Sequence, residues 1–274
     1  MTIEALGGAA IAAAGASVRF PLERYTVMGL VEVLAGLPRH WRLLRRLEKE
    51  FRSGRYDLVL LIDYPGFNLR LAEAARRAGL PTLYYIAPKY WASGRGRISR
   101  LGRAVDRLAV ILPFEPEFFA RHGVTASFVG HPLLDQPAPP TRAEARRRLG
   151  LAEADRVLAL FPGSRAQELT RMWPPFRDAA RRLLAGGACG RVVVATRPGS
   201  QYPEAQGFVL HPGDPATILA AADAAMVKSG TATLEAALAE VPMVVAYRLH
   251  PLTAILARRA ITVPQTGLSN SHRG

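Results

Sequence analysis

Short apolar, β-branched runs recur along the chain, and most are separated by segments whose apolar residues fall at helical spacing. In the first half the runs are DLVLLI at 57–62, TLYYIA at 82–87, RLAVIL at 107–112 and ASFVG at 126–130. A proline-rich passage, HPLLDQPAPPTRAEARRRLGLAEADR, then interrupts the pattern, and RVLALF, RVVVAT, GFVLH, AAMVKS and MVVAYR restart it. Continuous apolar strands alternating with helices predict parallel sheets covered on both faces. The chain therefore reads as α/β, with two Rossmann-like, doubly wound domains over residues 1–135 and 136–274. Neither a repeat of solenoid period nor a low-complexity tract is evident.

In such folds ligands sit beyond the carboxyl ends of the strands. That rule singles out Asp63, Pro88, Pro113, His131, Pro162 to Arg165, Ser229 to Thr233, and Arg248. FPGSRAQEL, 161–169, runs from a strand through Gly163 into a helix. Ser164 followed by Gln167 has the form of a capping box, which predicts a helix starting at Ser164. Free amides at that end, with Arg165 in the first turn, make an anion site; an ordinary capped helix with an exposed arginine fits equally. MVKSGTATLEAAL, 226–238, repeats the arrangement with Ser229, Gly230, Thr231 and Thr233. Glu235 falls in its first turn, either as a ligand for a vicinal diol such as ribose or as a surface acid favoured by the helix dipole. Two such junctions in one half point to a diphosphate-bearing nucleotide. The glycine spacing is neither Walker A nor Gly-x-Gly-x-x-Gly, which argues against ATP hydrolysis and NAD.

In the first half, IDYPGFNLRLA places Asp63 directly after a strand and Asn68 near the next helix start. An acid held there and partly desolvated can serve as a general base; alternatively it caps the Pro65-Gly66 turn. YYIAPKYWASGRGRISRLGRAVDRL mixes aromatics with Lys89, Arg95, Arg97, Arg100 and Arg103, a pattern open to single-stranded nucleic acid, a phosphorylated acceptor or a solvated face. LPRHWRLLRRLEKEF predicts a basic amphipathic helix with Trp41 and Phe51, packed on its own domain or on a membrane surface. His131 ends a strand at the domain junction, where a lone histidine serves structure or chemistry.

Composition narrows these choices only in part. The formal charge is +14, and only three of the 36 Lys+Arg residues are lysine, namely Lys49, Lys89 and Lys228. So strong an arginine bias reflects genome composition, anionic partners, or both. The single cysteine, Cys189, excludes an internal disulfide and a Cys-based zinc site, and the histidines lack metal-ligand spacing. The apolar runs fall short of the ~18 residues of a membrane span.

Taken in order, TVMGLVEVL, IDYPGFNLRLA, YYIAPKYWA, ILPFEPEFFARHGV, FVGHPLLD, LFPGSRAQEL, KSGTATLEAAL and PMVVAYRLHPLT resemble the motifs of the bacterial lipid-A-disaccharide synthase family, from about Gly7 to Thr262. The resemblance implies a GT-B-like, inverting hexosyltransferase that uses no metal or other cofactor, its two domains facing a cleft. It implies transfer of diacylglucosamine from UDP-2,3-diacylglucosamine to 2,3-diacylglucosamine 1-phosphate, forming a β-1,6 disaccharide 1-phosphate and UDP. The location implied is the cytoplasmic face of the bacterial inner membrane, with that lipid surface as a partner. Nucleic acid is not expected, and a homodimer is left open.

By the same resemblance Asp63 is the catalytic acid. Gly163, Ser164, Arg165, Ser229, Gly230, Thr231 and Glu235 hold the UDP-sugar, while Asn68, His131, Arg248 and Asn270 are further substrate contacts. The chain departs from the family pattern at both ends. The family's Gly-Glu-x-Ser-Gly-Asp loop has no counterpart, GLSN stands where Leu-Pro-Asn is usual, and the Glu-rich helical region is absent after SNSHRG. These departures predict a chain incomplete at both termini, with low or no turnover alone. Two alternatives stay open: another GT-B enzyme using a UDP-amino sugar, and a catalytically degenerate basic module for lipid or nucleic acid.

Overall fold

The computed structural model describes residues 2–21, 30–91 and 95–248. The chain divides into two compact units, Met1–Tyr90 with Gly94–Gly130, and Trp91–Ser93 with His131–Gly274. The division after Gly130 falls five residues before the boundary expected at 135, because Pro132–Asp135 forms a 3-10 turn assigned to the second unit.

The first unit opens with β1 (Glu4–Gly7), α1 (Ala9–Ala13) and β2 (Ser17–Pro21), the strands pairing in parallel as a sheet of their own. The sequence pattern did not predict either strand. It continues through α2 (Leu30–Phe51), β3 (Val59–Ile62), α3 (Pro65–Arg77), β4 (Thr82–Tyr85), α4 (Ile98–Ala104), β5 (Arg107–Val110), α5 (Glu115–Ala120) and β6 (Ser127–Phe128). These four later strands form a parallel sheet in the order β3-β4-β5-β6. The amphipathic helix α2 turns Leu43, Leu44, Leu47 and Phe51 into this unit's core, so the packing alternative holds for its apolar face. Trp41 stays outside it, 48% exposed, with the Arg70 guanidinium over its ring.

The small β1-β2 sheet is tied to α2 by charge. Arg19 donates to Glu4 at 3.0 Å and to Glu50 at 2.6 Å, and Tyr56 donates to both carboxylates. Burial on both sheet faces, which the apolar runs predicted, fails at β3. There Leu61 is buried while Leu60 and Ile62 are about half exposed, because β3 is an edge strand and its side chains alternate.

The second unit contains α6 (Arg142–Arg148), β7 (Val157–Phe161), α7 (Ala166–Ala185), β8 (Arg191–Thr196), β9 (Val209–Pro212), α8 (Pro215–Ala221), β10 (Ala224–Lys228), α9 (Thr231–Leu238) and β11 (Met243–Ala246). Its sheet is wholly parallel and runs β11-β10-β7-β8-β9. Counted from β7, this is the doubly wound order 3-2-1-4-5, which reverses direction between β7 and β10.

Strand β7, VLALF, explains itself. Val157, Ala159 and Phe161 enter the core beneath α6, α8 and α9, whereas Leu158 and Leu160 face Leu169, Met172, Trp173 and Phe176 of α7. All five residues are buried, as a central parallel strand requires. Arg146, only 2% exposed, fastens α6 to the sheet through the Ala221 carbonyl and the Asp223 carboxylate, which also accepts from the Val157 amide.

Candidate donor and acid sites

Doubly wound sheets bind ligands where the strand order reverses, here at the carboxyl ends of β7 and β10, and both predicted junctions start there. β7 pairs directly with β10, with Phe161 opposite Val227. Pro162 to Arg165 therefore follow one strand and Ser229 to Thr231 follow its neighbour. The helix after the first junction begins at Ala166, not at Ser164. Arg165 is the residue before its first turn, with φ −116° and ψ 143°, and no side chain caps it.

The Ser164–Gln167 capping box is thus incorrect by one position. Glu168 is the third helical residue, and its Oε2 accepts the Ser164 amide at 3.3 Å. The Glu168 carboxylate thus takes the Ser164 amide that a capping box would have given to the Gln167 side chain. It also gathers two cations: Lys228 Nζ lies 3.0 Å from Oε1, and Arg165 Nη1 lies 3.4 Å from it. Burial opposes ionisation of Glu168, but Lys228, Arg165 and the Ser164 amide outweigh it and hold its carboxyl below the ordinary value.

Both glycines are fitted to this arrangement. Gly163 has φ 125°, and a Cβ there would meet Cβ and Oε2 of Glu168, each at 3.0 Å. A Cβ on Gly230 would come within 3.3 Å of Lys228 Nζ. Thr233 is fully buried and donates its hydroxyl to the Gly230 carbonyl at 2.6 Å, fixing the first turn of α9, while the Ser229 amide donates to Ala246. Thr231 is exposed at the start of that helix. Glu235 is the fifth residue of α9, beyond the first turn where it was expected, and its partial burial raises its carboxyl above the ordinary value. Arg248 is exposed; its amide donates to Met172 Sδ.

Asp63, in the first unit, is different. It was expected to be partly desolvated, but it is exposed. Nor does it cap the following turn: Tyr64 occupies that position with no side-chain cap, and Pro65 starts α3. Its backbone, in contrast, is tightly held. Asp63 and Tyr64 have φ 45° and 46°, and Ile86, just past the adjacent strand β4, has φ 62°. Each such non-glycine residue costs roughly 1–3 kcal/mol.

The Asp63 carbonyl accepts Tyr84 Oη at 2.6 Å and Asn68 Nδ2 at 2.8 Å, and the Asp63 amide donates to Tyr85 at 3.0 Å. Asn68 thus spends its amide group on the backbone of Ile62 and Asp63. Burial first, then the Asp63 carboxylate, pushes the Tyr84 phenol up. Among the described residues, the Asp63 carboxylate accepts no hydrogen bond.

His131 Nδ1 accepts the Leu133 amide and so caps the 3-10 turn. Asn270 lies outside the described residues. Among the described residues, no group of three or more His, Cys, Asp and Glu is placed to hold a metal.

Sequence reasoning missed Lys228, Glu168 and Tyr84. The first of these carried a faint signal, as one of only three lysines in an arginine-rich chain, directly after a strand.

The family model described as lipid-A-disaccharide synthetase matches residues 1–271. The chain belongs to that family. The lipid-A-disaccharide synthase of Anaeromyxobacter dehalogenans is 39% identical over 279 residues, covering 98% of this chain and 73% of that protein. Membership makes it a glycosyltransferase of hexosyltransferase type, in lipid A biosynthesis. Two solved structures share the fold at 14% identity. The Staphylococcus aureus MnaA–UDP co-structure has a TM-score of 0.57 over 90% of this chain and 72% of its own. A putative UDP-N-acetylglucosamine 2-epimerase from Listeria monocytogenes has 0.55 over 80% and 63%. The lipid-A-disaccharide synthase family thus accounts for two parallel-sheet units of GT-B type.

Proposed function

We propose that the protein joins two acylated glucosamines, taking UDP-2,3-diacylglucosamine as donor and 2,3-diacylglucosamine 1-phosphate as acceptor. The observation that carries this reading is the pair of glycine-fitted junctions, side by side at the β7–β10 reversal and facing a cluster of two cations. Amides at the two helix starts and the Arg165 guanidinium bind the diphosphate, with Gly163, Ser164, Ser229, Gly230 and Thr231 lining it. The Arg165 side chain, paired to Glu168, is 60% exposed and so open to a ligand at this end. Glu235 takes the ribose hydroxyls.

Asp63 removes the proton from the acceptor's 6-hydroxyl as that oxygen bonds the donor's anomeric carbon. The bond from that carbon to the diphosphate breaks, UDP departs with the electron pair, and the configuration inverts. Charge that develops on the leaving diphosphate is met by donors already in place, which lowers the barrier without reorganisation. Exposure of Asp63 suits this role, since a base must be open to the substrate hydroxyl.

Acyl chains on both sugars place the reaction at a lipid surface, in our reading the cytoplasmic face of the inner membrane, and the +14 charge favours acidic headgroups. Among the described residues, no helix is long and apolar enough to cross a membrane.

Calorimetric titration with UDP, followed by an assay of UDP release, tests the reading. One saturable UDP site is expected, with release that requires the lipid monosaccharide phosphate. Binding of polyanions without preference for UDP would favour the degenerate-module alternative instead.

A further inference from the structure

Lys228 is one of the two cations at the junctions, but it has been given no contact with the donor so far. It is the last residue of β10, beside the reversal point, and its side chain crosses to the neighbouring junction and meets Glu168 of α7, sixty residues away. Both partners are largely buried, with side chains 15% and 12% exposed. The ammonium also lies 5.4 Å from the centroid of the Tyr247 ring and packs against Gly230, where a methyl group would crowd it at 3.3 Å. It is therefore held from three sides: by a carboxylate, an aromatic face and a junction kept clear of side chain.

An ammonium has three donors, and the pair with Glu168 uses one. A buried pair made only for stability is a poor bargain, since desolvation of both ions offsets most of their attraction. A buried pair at a ligand crevice has a second use, because it keeps a cation charged and aimed before the anion arrives. The residue type fits that use: a lysine presents a compact point charge on a flexible stem, whereas the chain's other cations are almost all arginines.

We propose that Lys228 is the second cation for the donor's diphosphate, and that Glu168 is the positioning residue that aims it between the two junctions. The proposal rests on the donor-site reading above. Arg165, its side chain 60% exposed, then supplies the outer cation and Lys228, largely buried, the inner one.

The test is titration of the full chain with UDP and with UMP, for wild type, Lys228→Met, Glu168→Gln and the double variant, with melting temperatures alongside. Lys228→Met is expected to weaken UDP binding by about 10- to 100-fold, the range for one charge-assisted contact, and to erase most of the preference for UDP over UMP. Glu168→Gln is expected to weaken UDP binding less, because the lysine is still present but loses its aim. The double variant decides the matter. If the pair serves stability alone, replacing both partners relieves the unpaired buried charge, the melting temperature recovers, and the double variant prefers UDP over UMP at least as well as Glu168→Gln does, since Glu168 also holds Arg165 and the Ser164 amide. If Lys228 meets the diphosphate, the melting temperature recovers and the preference for UDP stays lost. A double variant that discriminates UDP from UMP at least as well as Glu168→Gln does overturns the proposal and leaves the donor site intact. A wild-type chain that does not bind UDP removes both.

Discussion

The carboxyl ends of β7 and β3, the two ends that the proposed reaction uses, are built on opposite plans. At β7 the backbone is relaxed by glycine and the side chains are locked, with one carboxylate holding two cations and an amide. At β3 the backbone is strained and locked, while the side chain that matters is exposed. The contrast follows from what each end has to do. A diphosphate brings its own charge, so the receiving site needs donors fixed in advance. A base needs one group at a defined point with its carboxylate uncommitted, and a pinned main chain supplies that.

Four substitutions sharpen or break this contrast. The largest effect is expected from Asp63→Asn: kcat should fall by about 10²- to 10⁴-fold, the usual worth of a general base, with UDP affinity unchanged. Wild-type turnover would remove Asp63 from the mechanism. Gly163→Ala comes next. The added methyl meets Glu168 at 3.0 Å on a backbone with φ 125°, so a loss of about 1–3 kcal/mol is expected in urea unfolding, with weakened UDP binding.

Tyr84→Phe removes one of the bonds that pin the Asp63 carbonyl. About 1 kcal/mol of stability should go, and kcat should drop while the donor KM stays level. A fall in UDP affinity would mean that the two ends are not the separate devices described above.

The smallest effect is expected from Glu235→Gln and is read as pH dependence. Burial raises the Glu235 carboxyl, so the folded chain holds that proton more tightly than the unfolded chain. Its contribution is therefore full below the ordinary carboxylate value and declines as pH rises through the folded value, leaving a penalty at neutral pH. The glutamine variant should melt slightly higher at neutral pH and lose that decline, at the cost of ribose recognition. Glu168 has the opposite sign: its carboxyl is lowered, so its stabilisation is present above the ordinary value and fades as pH falls through the folded one.

The strands that position both ends were legible in the sequence where burial was deep. VLALF and RVVVAT are apolar runs because both faces of their sheet are covered. EALG and SVRFP were not legible. They are short and poor in strand-forming residues, and an ion-pair network with Glu50 and Tyr56 holds them in place of a continuous core face.

The same limit governs the sites. The junctions are local events that Gly163, Gly230 and their flanking strands announce. The Lys228–Glu168 contact spans sixty residues and exists only because β10 pairs with β7. The capping misreading has a different root: Ser164 and Gln167 satisfy a local pattern, but the helix starts one residue later and the equally local Glu168 takes the amide. Asp63 could be found from its place after a strand, whereas its exposure and the left-handed backbone around it could not.

The order of the second sheet has a consequence for wear. Its margins are β9 and β11, and the latter leaves Val244 63% exposed, while the strands that lead to the two glycines are the innermost neighbours. Under mild denaturant such a sheet frays inward, so the amides of β7 and β10 should be the last to exchange with solvent. A sheet that loosens at its rim gives up β9 and β11 before the two strands that carry the glycine junctions.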